Sequence, residues 1–191
     1  MAVATILMFV FWDVIDDYVE RAPGDYHTEV GSYRLEDGLF DEAIEHFGLA
    51  LQEAPDHRGA LMGRALVFIQ TEQYADAIDE LDYLIETLHR TTEPDDATGI
   101  GVLAAAYANR GIVHDRIGEY EKALEDYIEA LETDVETVSG PGIVHKILHG
   151  ADDLSTVRDR AEYLHSQFQL PESERVLRIP EIDDQQRMYK P

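Results

Sequence analysis

The 191-residue chain has no cysteine, which removes disulfide frameworks, thiolate metal sites and cysteine nucleophiles together. Positive charge is scarce. Fifteen Lys and Arg face 40 Asp and Glu, a net charge of −25, and the only lysines are Lys122, Lys146 and Lys190. Nucleic acid is not expected as a partner, because phosphate contacts need Lys and Arg, and neither is an anionic membrane surface. The apolar run at 2–12, from Ala2 to Trp12, is too short to cross a bilayer, which takes about 20 residues. No basic stretch precedes it, no clear small-residue cleavage site closes it, and Asp13, Asp16 and Asp17 follow. No membrane insertion and no export signal are expected, and a cytoplasmic location is the default. A phosphate-binding loop, a G-x-G-x-x-G turn and a G-x-S-x-G elbow are all missing, so neither catalysis nor a cofactor is expected.

Eight histidines raise the question of metal. The best local pair is His145-x3-His149, which would share one helix face. Lys146, Ile147 and Leu148 stand between them with no glutamate, and Gly150 follows at once, so the expectation is no metal site. The acidic pairs Asp16/Asp17, Asp95/Asp96 and Asp152/Asp153 read as solvated faces and helix caps in a chain this acidic.

What the chain does have is internal repetition. Residues 104–131 read as two short helices joined at Gly118, with Gly111 in mid-helix and Ala123, Tyr127 and Ala130 on one stripe. A mid-helix glycine costs about 1 kcal/mol against alanine, which implies close approach of another backbone. The same set recurs upstream: Gly31, Gly38, Phe40 and Ala43 first, then Ala65, Tyr74 and Ala77 after a shift of 34 residues. Gly111, Tyr120 and Ala123 lie 46 residues further on, which is the same period plus 12. The first copy reads His27-x2-Val30-Gly31, Ala43-x3-Phe47 and Pro55. The second reads Leu61-x2-Arg64-Ala65-x2-Phe68 and Ala77-x3-Leu81, and the third Tyr107-x2-Arg110-Gly111 and Ala123-x3-Tyr127. This pattern resembles the tetratricopeptide repeat, although no copy has its tryptophan.

The expected fold is an all-α, right-handed helical-hairpin solenoid. Three tetratricopeptide-like repeats occupy 24–57, 58–91 and 104–137, with the insertion at about 92–103. Pro94 and its acidic neighbours are expected to end one helix and start the next, lengthening both. Residues 1–23 read as an N-terminal apolar helix docked on the first repeat. Capping helices are expected within 138–170, one of them starting at Asp152 or Asp153 and turning Val157, Ala161, Leu164 and Phe168 inward. The tail 171–191 carries four basic and five acidic residues, so the first 170 hold a charge of −24. It either wraps the body or stays mobile.

The resemblance implies a groove lined by the first helix of each pair, taking an extended peptide or a helix. By register, the partner-binding positions are Met62, Leu66, Ile69, Ala108, Asn109, Ile112 and Arg116. Apolar anchoring at Leu66, Ile69 and Ile112 is expected, with Leu66→Asp plus Ile112→Asp abolishing capture and sparing the fold. Family members that receive chaperone tails clamp a terminal carboxylate with Lys, Asn and Arg. The corresponding positions here are Thr28, Ser32, Gly63, Ala105 and Asn109, and Asn109 alone is retained. Arg58, Arg64, Arg110 and Arg116 recur near the first helices and are expected to pair with nearby carboxylates. The function expected is a non-catalytic adaptor or assembly factor with a protein or peptide partner in the groove. The alternative is a self-associating homo-oligomer built through Ile6, Phe9 and Trp12, with the groove self-occluded.

Overall fold

The structure is a computed structural model that describes residues 21–138, 156–179 and 188–189. The expected N-terminal docking helix, His145, His149 and the cap position at Asp152 or Asp153 lie outside the described residues. Helices run α1 Asp25–Glu36, α2 Phe40–Glu53, α3 Arg58–Gln70, α4 Tyr74–Thr91, α5 Ala97–Arg116 and α6 Tyr120–Thr133. A single turn α7, Val135–Val138, and the C-terminal helix α8, Val157–Phe168, follow. Among the described residues there is no strand. Each helix packs against the next in sequence from α1 to α6, and α8 packs on α6. The fold is an all-α solenoid of helical hairpins.

Each hairpin is closed by the same device. Gly38 (φ 73°), Glu72 (φ 59°) and Gly118 (φ 83°) take the left-handed conformation that turns the chain from the first helix of a pair into the second. The added residues of the third repeat go into helix. They give 18 residues in α4 and 20 in α5, with a short turn between them at 92–96. Asp96 caps α5 by accepting from the Gly99 N–H at 2.8 Å, and its other oxygen takes the Arg58 guanidinium at 2.7 Å.

What fills the space above Gly31, Gly63 and Gly111 is an aromatic ring. A Cβ on Gly111 would meet the Tyr127 ring at 2.7 Å and the Ala123 carbonyl oxygen only at 3.2 Å. A Cβ on Gly31 would meet the Phe47 ring at 2.8 Å, and Gly63 lies still closer to that ring. Phe47 and Tyr127 are fully buried, and burying such a ring contributes about 1.5–3 kcal/mol. Ala65 and Leu81 occupy the same register in the second repeat and are also fully buried. The expected close backbone is therefore mainly a ring, from the second helix of the same hairpin at Gly31 and Gly111 and from the preceding hairpin at Gly63, seated where the first helix has no side chain.

α8 closes the end of the stack. Thr156, and not the expected Asp152 or Asp153, caps it in a reciprocal box with Asp159. Val157, Ala161 and Leu164 are buried, and Phe168 packs at the margin. Arg160 sits in the middle of that apolar stripe and is buried too.

Candidate functional site

The first helices of the three hairpins, α1, α3 and α5, stand side by side, α1 on α3 and α3 on α5. At the α1 end their shared face opens into a cleft of about 250 Å³. Thr28, Ser32, Leu35 and Glu36 line it from α1, and Gly59, Met62, Gly63 and Leu66 from α3. Among the described residues the wall holds no lysine, arginine or histidine, and Glu36 is its acidic member.

The predicted groove residues fall into four groups. Met62 and Leu66 line this cleft. Ile69, Ala108 and Ile112 are core residues, the first two fully buried and Ile112 2% exposed. Leu66 itself is only 3% exposed, so aspartates at Leu66 and Ile112 would place two carboxylates in the core. That pair would test the fold and not the groove, contrary to the expectation that it spares the fold.

Arg116 is exposed at the far end of α5. With Tyr74, Tyr120 and Arg178 it lines a second cleft of about 420 Å³. Among the described residues neither arginine forms an ion pair. The other recurring arginines are engaged. Arg58 pairs with Asp96, Arg64 grips both oxygens of Glu80 at 2.9 and 2.8 Å, and Arg110 joins Asp82 of α4 to Asp126 of α6. Burial works against the Arg110 charge, but Asp126 and Asp82 outweigh it and raise its pKa. Burial in turn pushes the Asp126 carboxyl up, with Arg110 pulling it down.

Asn109 is the residue whose environment is most specific. It is fully buried, yet its carboxamide is matched on both sides. Its Nδ2 donates to the Tyr189 carbonyl at 2.8 Å, and its Oδ1 accepts from the Tyr189 N–H at 2.7 Å. The Met62 sulfur lies 3.4 Å from the same Nδ2. The Tyr189 hydroxyl accepts from the Val157 N–H at 3.3 Å, and burial raises its pKa. Met188 and Tyr189 pack against the core. Periodicity places Asn109 on the face but gives no sign of its occupant, which lies 80 residues away.

Arg160, which sequence reasoning missed, anchors the tail a second time. It holds Asp115 through two bonds of 2.7 Å and donates to the Leu177 carbonyl at 2.9 Å. The Tyr163 hydroxyl donates to the Val176 carbonyl at 2.6 Å, and the Val176 N–H donates to Gln167 at 2.8 Å. The available signal was an arginine at the inward register of α8. Among the described residues no group of three or more His, Asp or Glu is placed to hold a metal, and no helix is long and apolar enough to cross a membrane. Ile6, Phe9 and Trp12 lie outside the described residues.

Comparison with known proteins agrees with this architecture. Family models described as tetratricopeptide repeat match residues 104–134 and 34–93. RNA polymerase II-associated protein 3 of Xenopus tropicalis is 28% identical over 119 residues, which is 62% of this chain and 16% of that protein. The chain thus corresponds to a small part of that relative's length. A solved structure, the first TPR of Spaghetti (RPAP3) bound to the HSP90 peptide SRMEEVD, gives a TM-score of 0.56 at 16% identity. The match covers 80% of this chain and 98% of that one, and at this identity the likeness is one of fold.

Proposed function

The chain belongs to the tetratricopeptide-repeat family, and on that premise we propose that it is a non-catalytic protein-interaction adaptor. The face built by α1, α3 and α5 takes an extended peptide or an amphipathic helix. Met62 and Leu66 form the floor of the entrance, Ile69, Ala108 and Ile112 support it from beneath, Asn109 reads the ligand backbone, and Arg116 marks the far end. The observation that carries this reading is the Asn109 carboxamide. On that face it holds a peptide backbone through one donated and one accepted hydrogen bond, and such a pair fits any extended segment.

The cleft chemistry narrows the ligand. The structural neighbour holds a peptide with three acidic residues, whereas the described lining of the cleft here has no lysine, arginine or histidine. A ligand anchored by an apolar side chain against Met62 and Leu66 suits it better than one held by acidic groups. The test is selection of peptides from a display library on the immobilised full chain, followed by binding measurements on a Ser32→Trp variant. Ser32 is exposed on the cleft rim, so an indole there fills the cleft without entering the core. Selected peptides are expected to lose at least about tenfold in affinity, equivalent to about 1.4 kcal/mol, while the circular dichroism and melting temperature hold. Peptides that bind Ser32→Trp as well as wild type, or a selection that yields none, would overturn the reading.

A further inference from the structure

We propose that the C-terminal segment Met188–Tyr189 is a built-in ligand of the Asn109 site, so that the groove is autoinhibited and an outside peptide enters by displacing the tail. The inference rests on the adaptor reading for its biological sense, but its own support is separate. Asn109 is fully buried, and both polar atoms of its side chain are spent on the backbone of residue 189. Contacts to a backbone N–H and carbonyl carry no information about side chains, so a competing extended peptide can reproduce both. The remaining contact, from the Val157 N–H to the Tyr189 hydroxyl, is the part that favours an aromatic residue in this place.

The tail is suited to bind reversibly. Its root is fastened at Val176 and Leu177 by Tyr163, Gln167 and Arg160. The tip is held by the exchange with Asn109, the Val157 contact and packing. Charge also favours return. The tip 185–191 carries Arg187 and Lys190 and no acidic residue, against a charge of −24 for the first 170 residues. A tethered tip has an effective concentration on the order of 1 mM. If the free tip binds with a Kd of about 0.1 mM, it fills about 90% of the grooves and weakens a competitor about tenfold. Such a latch excludes weak peptides and yields to strong ones.

The probe is a labelled peptide of sequence 185–191, measured against three forms of the full chain. In wild type the site is filled. Tyr189→Pro removes the N–H that Asn109 accepts, and Tyr189→Pro with Asn109→Ala removes the reader as well. The peptide is expected to bind Tyr189→Pro about tenfold more tightly than wild type and to lose that gain in the double variant. The Asn109 side-chain amide resonances should shift between wild type and Tyr189→Pro and move back on peptide addition. That readout is local and does not depend on global stability. Equal binding to wild type and Tyr189→Pro, no binding to any form, or indifference to Asn109→Ala would overturn the proposal. Peptides selected by display separate the two readings. If they bind wild type and Tyr189→Pro alike through the Ser32 cleft, the adaptor stands and the latch falls. If the tail peptide binds in trans and no outside peptide is found, the latch stands and the adaptor falls.

Discussion

Arg160 and Asp115 form a two-bond ion pair, both bonds 2.7 Å, with their side chains 1% and 2% exposed. It joins the last turn of α5 to the inward face of α8, and the Tyr127 hydroxyl donates to the same carboxylate at 3.1 Å. Buried charges gain little over an apolar replacement but are costly to separate. Arg160→Ala is therefore expected to cost about 3–5 kcal/mol in urea unfolding, because the Asp115 carboxylate is left buried without its main cation. Arg160→Met with Asp115→Leu should recover most of that loss. If the double variant is no more stable than the single one, the pair contributes through geometry that apolar packing does not replace.

The glycines supply a prediction with opposite signs at two sites. Gly48 lies inside α2 and, among the described residues, no heavy atom beyond its own helix backbone comes within 4 Å of where a Cβ would stand. Gly48→Ala should gain about 0.5–1 kcal/mol from helix propensity alone. At Gly111 the Cβ would overlap the buried Tyr127 ring, so Gly111→Ala should lose about 1–3 kcal/mol to overpacking. Two denaturant titrations decide it, and a stabilised Gly111→Ala would mean that the ring moves aside freely.

How far each feature was legible in sequence follows its reach along the chain. Gly31 with Phe47 and Gly111 with Tyr127 are both 16 residues apart, within one hairpin, and they recur at the repeat period. So do Arg64 with Glu80 and Arg110 with Asp126. Local packing repeated in register leaves a periodic trace in the residues, and the fold could be read from it. The contacts of Asn109 with Tyr189 and Arg160 with Asp115 occur once and span 80 and 45 residues. No period encodes a contact made once, so Asn109 could be placed on its helix face by register while its contact with Tyr189 stayed hidden. Burial of Ile69 and Ala108 was missed for a related reason. Register locates a residue on a helix face, but the depth of that face depends on its neighbours.

Glu72 occupies the hairpin turn position that is glycine in the other two repeats, with φ 59° against 73° and 83°. A side chain in the left-handed region costs about 1–2 kcal/mol, partly offset because glycine loses more entropy on folding. Glu72→Gly is expected to raise stability by about 1 kcal/mol or less, read as a shift in urea midpoint at unchanged slope. Glu72 also lines the cleft beside Arg116 and Arg178, so the substitution removes a negative charge there as well. Glu72→Gln serves as the control that changes the charge and keeps the strain. With two arginines nearby, Gln is expected to gain nothing, and if it stabilises as much as Gly, the charge of Glu72 and not backbone strain governs this turn.

Asp96 ties α3 to the start of α5, and it gives stability a pH dependence of known sign. The Gly99 N–H and then the Arg58 guanidinium stabilise its carboxylate and lower its pKa below the ordinary 3.8. The folded state thus binds this proton more weakly than the unfolded chain does. Its stabilising contribution is present in full above 3.8 and is lost as pH falls through the lower folded value. Asp96→Asn keeps a capping oxygen but loses the charge, so its melting temperature should lie below that of wild type near neutrality. Thermal unfolding across a pH series should show that gap closing as the solution passes below 3.8. A gap that persists into acid would show that hydrogen-bond geometry at the cap, and not the charge facing Arg58, is what Asp96 contributes.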